Sequence, residues 1–331
     1  MARETAEAPA AVGRLLADPR PFEDVARAVD LARVPLVVLC GRGSSGHAGV
    51  LARYLFEVVA GVPVSFTAPS VITALGGKPR LAGALFVVMS QSGASPDLVA
   101  ATIAAREAGA TTVAIVNEAD SGVARAAHHV IPILAGPERS VAATKSVVAS
   151  MVAGAALVAT LTGDRALAAG LPRLPDRLAA ALALDWSATA DAARGARVIY
   201  VTGRGYGLAS AREIALKLAE TLRVPALAYS AAELRHGPRA AVTASTPVLA
   251  LRVADATAAT VDALVADLGG AGVPVAMAGG AGRLPWIGDD HSALDAIAML
   301  PPAYRAIEAA ARATGLDPDR PPHLAKVTST L

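Results

Sequence analysis

Short runs of almost continuous apolar residues alternate with longer helical patterns along the first half of the chain. The strand candidates are Pro35–Cys40, Pro63–Thr67, Ala84–Met89, Thr111–Val116 and Val130–Leu134. The helical patterns lie at His47–Val59, Pro96–Ala108, Ser121–Ala127 and, as the longest of them, Val141–Leu161. Because strands that are apolar on both faces alternate with helices, the pattern predicts an α/β fold with a parallel sheet covered on both sides.

The same pattern restarts after a helical stretch that Pro172 and Pro175 interrupt. The predicted elements are strands at Val198–Thr202, Pro225–Tyr229, Pro247–Val253 and Val273–Met277, and helices at Leu208–Leu222, Ala256–Leu268 and Leu294–Ala313. VVLCGRGSSGHAGVLARYL and VIYVTGRGYGLASAREIAL share a strand, a GRG turn and a helix, and Gly41 and Gly203 correspond at an offset of 162 residues. This repeat predicts two similar doubly wound α/β subdomains in tandem.

The predicted elements divide the chain into five segments. They are an amino-terminal helical segment (1–34), a first α/β domain (35–163), a helical linker (164–196), a second α/β domain (197–313) and a carboxyl-terminal tail (314–331). Because the two halves differ in their loops, we expect the loops to carry the function.

The composition allows a large core and argues against several classes of protein. Of 331 residues, 54% are hydrophobic and 18% charged, which argues against disorder. A net charge of +2 without a block of Lys and Arg argues against nucleic-acid binding. Val147–Gly163 is short for a membrane span and rich in small residues, so we interpret it as a buried helix. The single cysteine, Cys40, fits a reducing compartment, and we expect a cytoplasmic protein without a membrane anchor.

A glycine-rich turn follows the first predicted strand. Gly41, Gly43 and Gly46 match the GxGxxG pattern of dinucleotide-binding turns. The acidic residue that would hold the ribose is missing from the next strand, VPVSFTAPS, so we do not predict a dinucleotide cofactor. The alternative is a turn that only packs a strand against a helix, and for GRGYG in the second half this alternative stays open.

Two further loops lead from strands into helices in the first half. SQSGASPD presents Ser90, Gln91, Ser92 and Ser95 just before a helix, where free backbone N–H groups favour an anion such as phosphate. The loop contains no Lys or Arg, so we expect affinity from directed hydrogen bonds. Ser95 is also a candidate N-cap of the helix that begins at Pro96. The third loop is GPERSVAATKS, and all three are expected at the carboxyl edge of the sheet, where open parallel sheets bind ligands.

The helix EIALKLAE carries Glu213, Lys217 and Glu220 at spacings that place them on one face. From amphipathicity alone we expect this face to be solvated and to hold an ordinary Glu–Lys pair. Among the histidines, His128, His129, His291 and His47 show no spacing typical of a metal site, and Asp289 and Asp290 are predicted to cap a helix. We therefore expect neither a metal nor a cofactor.

Taken together, the motifs resemble the sugar isomerase (SIS) domain family. They are CGRGSSGHAG, MSQSGASPD, ERSVAATK, EIALKLAE, SAAELRHGP and HLAKVTSTL, in order from Cys40 to the end of the chain. The chain is similar to a tandem pair of flavodoxin-like SIS domains, as in the isomerase half of the glutamine:fructose-6-phosphate aminotransferases and in stand-alone glucosamine-6-phosphate deaminases. The resemblance implies a phosphosugar site formed by Ser44, Ser45, Ser90, Gln91, Ser92, Ser95, Val141, Ala143 and Ala325. Ala94 and Ala143 replace an acidic residue and a serine of the family pattern, which leaves the identity of the sugar open.

The resemblance also implies catalytic roles. Glu220 is expected to transfer the proton, Glu213 and Lys217 to hold the reacting end of the sugar, and His236 to help open its ring. Lys326, in a tail expected to fold over the site, corresponds to a lysine that forms a Schiff base in the aminotransferases. We expect a homodimer in which His236 reaches the site of the neighbouring subunit.

The aminotransferases begin with a glutaminase domain whose nucleophile is a cysteine, whereas Ala2 follows Met1 here. We therefore expect a deaminase that converts glucosamine-6-phosphate and water to fructose-6-phosphate and ammonia. Two alternatives stay open: a deglycase of 6-phosphofructosyl amines, and a sugar-phosphate-binding regulator without catalysis.

Overall fold

A computed structural model of the chain describes residues 1–326, which form two compact units. The first, here called the amino-terminal unit, comprises Ala10–Glu138, Lys145–Pro172 and, within the described residues, Ala325 and Lys326. The second, the carboxyl-terminal unit, comprises Met1–Pro9, Arg139–Thr144 and Arg173–Leu324. A parallel sheet lies in each unit, which confirms the predicted pair of α/β subdomains.

Helices and strands alternate as the apolar pattern predicts. The strands are β1 (Val37–Cys40), β2 (Val64–Phe66), β3 (Leu85–Ser90), β4 (Thr111–Val116), β5 (His129–Pro132), β6 (Ile199–Gly203), β7 (Ala226–Ser230), β8 (Val248–Leu251) and β9 (Val275–Ala278). The α-helices are α1 (Ala2–Ala6), α2 (Ala8–Leu16), α3 (Arg20–Ala28), α4 (Gly43–Val58), α5 (Ser70–Thr73), α6 (Pro96–Glu107), α7 (Gly122–Ala126), α8 (Lys145–Thr162), α9 (Arg165–Gly170), α10 (Leu174–Ala181), α11 (Ser187–Arg194), α12 (Gly207–Lys217), α13 (Ala231–His236), α14 (Ala258–Gly270), α15 (Ser292–Ala298) and α16 (Leu300–Ala313). Short 3₁₀ turns lie at Leu31–Arg33, Leu171–Arg173 and Pro238–Ala241, and a π-helical segment at Leu218–Leu222.

The sheet of the amino-terminal unit has the strand order β2-β1-β3-β4-β5 and is parallel throughout. β1 and β3 are buried along their whole length, which explains their continuous apolar sequences. The register pairs Cys40 with Val88, so β1 and β3 end at the same edge of the sheet. Helices α4 and α6 start at that edge, directly after the loops that carry the predicted phosphate-binding residues.

Helix α8 is the long apolar helix of this unit. By length and composition it could span a membrane, with a mean hydropathy of 1.6, but 83% of it is buried inside the structure. Gly154 faces α4 so closely that a Cβ there would lie 3.4 Å from the Cβ of Ala52. The prediction of a buried helix is therefore confirmed.

The sheet of the carboxyl-terminal unit has the order β7-β6-β8-β9 and is also parallel. Gly203 pairs with Ser230, so α12 and α13 both start at the carboxyl edge of this sheet. Close backbone packing explains why glycine stands at both corresponding positions of the repeat, Gly41 and Gly203. A Cβ on Gly203 would lie 2.6 Å from the Gly207 carbonyl oxygen, and one on Gly41 would lie 3.2 Å from that of Met89.

Three predicted helices differ from the observed ones. The helix expected from Val141 begins only at Lys145, because the residues before it form a loop. The helix expected over Leu294–Ala313 is two helices, since Pro301 and Pro302 lack the amide hydrogens that a continuous helix would use. The helix expected over Leu208–Leu222 changes from α to π after Lys217.

Candidate active site

A cavity of about 330 Å³ opens at the carboxyl edge of the amino-terminal sheet. We call it the serine cavity, and its lining residues are Arg42, Gly43, Ser45, Met89, Ser90, Gln91, Ser92, Ser95, Leu98 and Lys326. The structure thus brings together most of the side chains that the sequence assigned to phosphate binding. Ser44 lies in the first turn of α4 and Ala325 beside Lys326, but neither lines the cavity.

The loop after β3 is held by its own hydroxyl groups. Ser90 Oγ accepts the N–H of Gly93 at 3.1 Å, and Ser92 Oγ accepts the N–H of Ala94 at 3.3 Å. Ser95 occupies the N-cap position of α6, as predicted, but its hydroxyl makes no capping hydrogen bond. Ser95 is therefore available to a ligand in the cavity.

Two cations line the serine cavity, although the serine loop itself contains none. Arg42 forms a two-pronged ion pair with buried Asp97, with Nη1–Oδ2 at 2.8 Å and Nη2–Oδ1 at 3.2 Å. Lys326 Nζ lies 3.0 Å from Glu138 Oε2. Other segments therefore bring cations to the cavity, each paired with a carboxylate, and the expectation that directed hydrogen bonds supply the affinity stays a prediction. Arg42 lies in the GRG turn and Glu138 opens the ERSVAATK motif, but local sequence does not indicate that their charged groups meet at this cavity.

Cys40 ends β1 close to these groups. Burial raises the pKa of its thiol to about 12; the charge of Asp97 acts in the same direction and Arg42 opposes it. A thiol with so high a pKa is a poor nucleophile, so Cys40 is a core residue and has no chemical role in the cavity.

A buried charge network lies on α12 in the carboxyl-terminal unit. Lys217 Nζ is 3.4 Å from Glu213 Oε1 and 2.5 Å from Glu220 Oε2. The hydroxyl of Tyr304 on α16 donates to Glu213 Oε1 at 3.3 Å. The predicted solvated face is therefore wrong, since α16 packs over it and leaves the Glu213 and Lys217 side chains at most 1% exposed.

Glu220 is the end of this network that reaches solvent, with its side chain 20% exposed. It stands on the π-helical segment, a distortion that is often found at functional sites. The Thr221 hydroxyl donates to the Lys217 carbonyl at 2.6 Å, and Arg223 ends the segment in the left-handed region at φ 56°. A carboxylate that contacts a buried cation and still reaches solvent can exchange a proton with a ligand.

His236 is the last residue of α13 and is exposed. The helix is fixed at its start by a capping box, in which the Ser230 hydroxyl accepts the Glu233 N–H and the Glu233 carboxylate accepts the Ser230 N–H. The hydrogen bond from the Ser230 hydroxyl lowers the pKa of Glu233 below its usual value. The structure therefore assigns Glu233 a structural role and orients a short helix that ends in an accessible imidazole.

Val141 and Ala143 belong to the carboxyl-terminal unit, where the Val141 N–H donates to the Asp319 carbonyl at 3.1 Å. Neither residue lines the serine cavity, and their assignment to the sugar rests on the resemblance.

Two of the other histidines, His128 and His291, accept backbone hydrogen bonds and have structural roles. His128 Nδ1 accepts the N–H of Thr112 at 3.1 Å, and His291 Nδ1 accepts the N–H of Ala293 at the start of α15. Asp289 and Asp290 form ion pairs with Arg177 and Arg173, so the prediction that they cap this helix is wrong. Within residues 1–326, no group of three His, Cys, Asp or Glu side chains is arranged to hold a metal ion.

Comparison with known proteins agrees with this arrangement. The SIS domain family model matches residues 30–160 and 194–277, more than half of the chain. The chain is 34% identical over 327 residues to a glutamine–fructose-6-phosphate aminotransferase (isomerizing) of Symbiobacterium thermophilum, with 90% of this chain and 52% of the relative covered. It thus spans about half the length of this curated relative.

Solved structures share the whole fold. A candidate phosphosugar isomerase from Silicibacter pomeroyi DSS-3 is 38% identical with a TM-score of 0.91, and the match covers 96% of this chain and 99% of that one. A glucosamine-6-phosphate deaminase from Thermotoga maritima has a TM-score of 0.77 at 21% identity, covering 98% and 99%. At that identity the deaminase is evidence for the fold alone.

Proposed function

The chain belongs to the SIS domain family, and on that premise we propose that it is an isomerising amino-sugar phosphate deaminase. The proposed reaction converts glucosamine-6-phosphate and water to fructose-6-phosphate and ammonia. The observation that carries this proposal is a network of three charged residues, in which Glu213 and Lys217 are buried and Glu220 reaches solvent.

The serine cavity supports the phosphate part of the proposal. It combines the hydroxyl groups of Ser45, Ser90, Ser92 and Ser95 with the starts of α4 and α6, whose free N–H groups and dipoles favour an anion. Arg42 adds positive charge at the same wall. A phosphate group matches this set of donors.

The proton transfer is the work proposed for Glu220. In the open-chain amino sugar it takes the proton from C2 and returns it to C1, which leaves an imine at C2. Lys217 stabilises the negative charge that develops on the sugar oxygen. Water then adds to the imine carbon, ammonia leaves, and the ketose remains. His236 assists ring opening by moving a proton at the ring oxygen.

The choice of an amino sugar rests on the relatives. The Symbiobacterium protein is named for an isomerising transfer of nitrogen to fructose-6-phosphate. Hydrolysis of the product amine uses the same proton transfer in the opposite direction, with water as the second substrate. The residues of EIALKLAE serve both directions.

Ammonia release from glucosamine-6-phosphate tests the proposal. We expect release by the wild type, a loss of at least about 100-fold for Glu220→Gln, and an unchanged rate for Glu107→Gln, the same charge change at an exposed site. A 6-phosphofructosyl amine is assayed in parallel. Cleavage of that compound without release from glucosamine-6-phosphate would replace the deaminase by the deglycase. No turnover of either, with phosphosugar binding retained, would favour a regulator.

We also propose a homodimer in which His236 acts in the partner's site, because this side chain is exposed on its own chain. Mixing Glu220→Gln and His236→Asn chains tests this. A mixed dimer would contain one site with both native residues, so random mixing is expected to restore about a quarter of wild-type activity. No recovery from mixed dimers that form normally would contradict action across the interface.

A further inference from the structure

Glu138 is the first residue of the ERSVAATK motif, but neither the sequence analysis nor the proposed reaction gives its carboxylate a role. Its side chain is fully buried, at 0% exposure, just before the loop 139–144. A buried carboxylate is costly unless it is bonded and its charge is neutralised. The side chain therefore needs specific partners, and the structure shows which they are.

Ser146 in the first turn of α8 supplies two of these partners. Its N–H donates to Glu138 Oε1 at 3.1 Å, and its hydroxyl donates to Oε2 at 2.5 Å. Neither group carries charge. The neighbouring Lys145 donates to the Pro137 carbonyl at 2.8 Å. The ion pair of Glu138 is made with Lys326, whose Nζ reaches Oε2 from the carboxyl-terminal tail.

Lys326 also lines the serine cavity, and its side chain is 24% exposed. Its amino group is thus held by a fixed buried acceptor on one side and open to the cavity on the other. Because Glu138 cannot move without leaving Ser146, the position of the amine is set by Glu138.

We propose that Glu138 is a positioning residue that holds the Lys326 amine in the serine cavity and accepts its proton when that amine attacks a sugar carbonyl. The step balances: the ammonium gives H⁺ to the carboxylate, the free amine adds to the carbonyl carbon, and loss of water leaves the imine. This inference rests on the proposed function for its substrate, a phosphorylated open-chain sugar. The placement of the amine does not depend on that substrate.

The alternative is that Glu138 only fixes the start of α8 through Ser146. Ser146→Ala is the matched control, because it removes the hydroxyl bond to Glu138 and leaves Lys326 untouched. Glu138→Gln keeps the size of the side chain but removes the negative charge that Lys326 contacts. The two variants therefore separate the roles.

Proteolysis without any sugar gives the first test. Trypsin cleaves after Lys326 only when this side chain leaves Glu138 and enters the protease. Arg320 precedes Pro321, so it gives no competing cut in the tail. Intact mass measures the rate at which the residues after Lys326 are cleaved off. We expect this rate to be at least about tenfold higher in Glu138→Gln than in the wild type, and less than about twofold higher in Ser146→Ala. Equal rates in all three proteins would overturn the positioning role.

Trapping with borohydride and fructose-6-phosphate gives the second test. We expect reduction to attach the sugar to Lys326 in the wild type and in Ser146→Ala, and to do so at least about tenfold more slowly in Glu138→Gln. In the ammonia-release assay, Glu138→Gln is expected to change KM far less than kcat. In a Lys326→Ala background, Glu138→Gln is expected to add no further loss of activity. An additive loss would refute the inference. A wild type without turnover but with a Glu138-dependent tryptic cut would refute the proposed function alone.

Discussion

Lys217→Met is the most informative single change in the carboxyl-terminal unit. It removes the cation that lies between Glu213 and Glu220 and replaces it with an unbranched apolar chain of similar volume. Glu213 then keeps the Tyr304 hydrogen bond but loses its counter-charge in a site closed to water.

The burial of the pair sets the expected magnitude. The Lys217 and Glu213 side chains are 1% and 0% exposed, so little solvent can replace the lost charge. Removal of one member of such a buried pair costs about 3–5 kcal/mol. We expect the free energy of unfolding of this unit to fall by that amount at neutral pH.

Tryptophan fluorescence during urea unfolding measures the loss of unfolding free energy in the carboxyl-terminal unit. The two tryptophans of the chain, Trp186 and Trp286, both belong to Arg173–Leu324. Trp186 is buried and donates to the Pro285 carbonyl at 2.8 Å, so its emission changes when the unit opens. The slope of free energy against urea concentration checks that the unfolded states are comparable.

The double variant Glu213→Gln/Lys217→Met is the control. Removing both charges leaves no uncompensated ion that is fully buried, because the remaining carboxylate, Glu220, reaches solvent; the double variant is therefore expected to be more stable than Lys217→Met alone. The reasoning fails if Lys217→Met lies within about 1 kcal/mol of the wild type, or if the double variant is the less stable of the two.

Other predictions concern the serine loop, the capping box and the cysteine. Gly93→Ala forces a left-handed φ of 56° on alanine and brings its Cβ to 2.0 Å from Ser121 Oγ. Urea unfolding followed by circular dichroism is expected to show a larger loss of unfolding free energy than for Gly61→Ala, where φ is 68° and nothing lies within 4 Å. Equal losses would contradict the predicted clash. Ser230→Ala removes the cap of α13 and is expected to lower kcat through His236 while costing about 1 kcal/mol of stability, and an unchanged kcat would separate the cap from catalysis. Burial raises the pKa of Cys40 to about 12, so only the unfolded chain releases this proton above about pH 8.5, and stability falls as pH rises from there toward 12. Cys40→Ala is expected to lessen the fall in unfolding free energy between pH 8 and pH 10, and a fall as steep as in the wild type would show that the thiol does not contribute.

The sequence predicts the fold well because the signals for it are local. Continuous apolar strands, the two GRG turns and their spacing are enough to indicate two parallel sheets and the edge of the first sheet at which the serine cavity opens. The sequence also indicates the break between α15 and α16 at Met299, because Pro301 and Pro302 are typical of the first turn of a new helix.

The charges of the serine cavity and those of the α12 network are harder to predict, because in each case a partner is distant in sequence. Glu138 and Lys326 are 188 positions apart, and their pairing depends on tertiary packing. The polar face of α12 looks solvated in the sequence because nothing in EIALKLAE indicates that α16 will cover it. The Tyr304 hydroxyl, 91 positions away, completes a site that local periodicity assigns to the surface.

The π-helical turn that contains Glu220 is expected to lower the stability of the helix while it holds Glu220 in place for its proposed role. A π turn contains one residue more than the α turn it replaces, and its hydrogen bonds are less favourable. A one-residue deletion within 218–222 would regularise the helix and could raise its stability, but it would rotate Glu220 away from Lys217. Selection for thermostability alone is therefore expected to repair this turn, and its retention in stabilised variants would support the proton transfer proposed for Glu220.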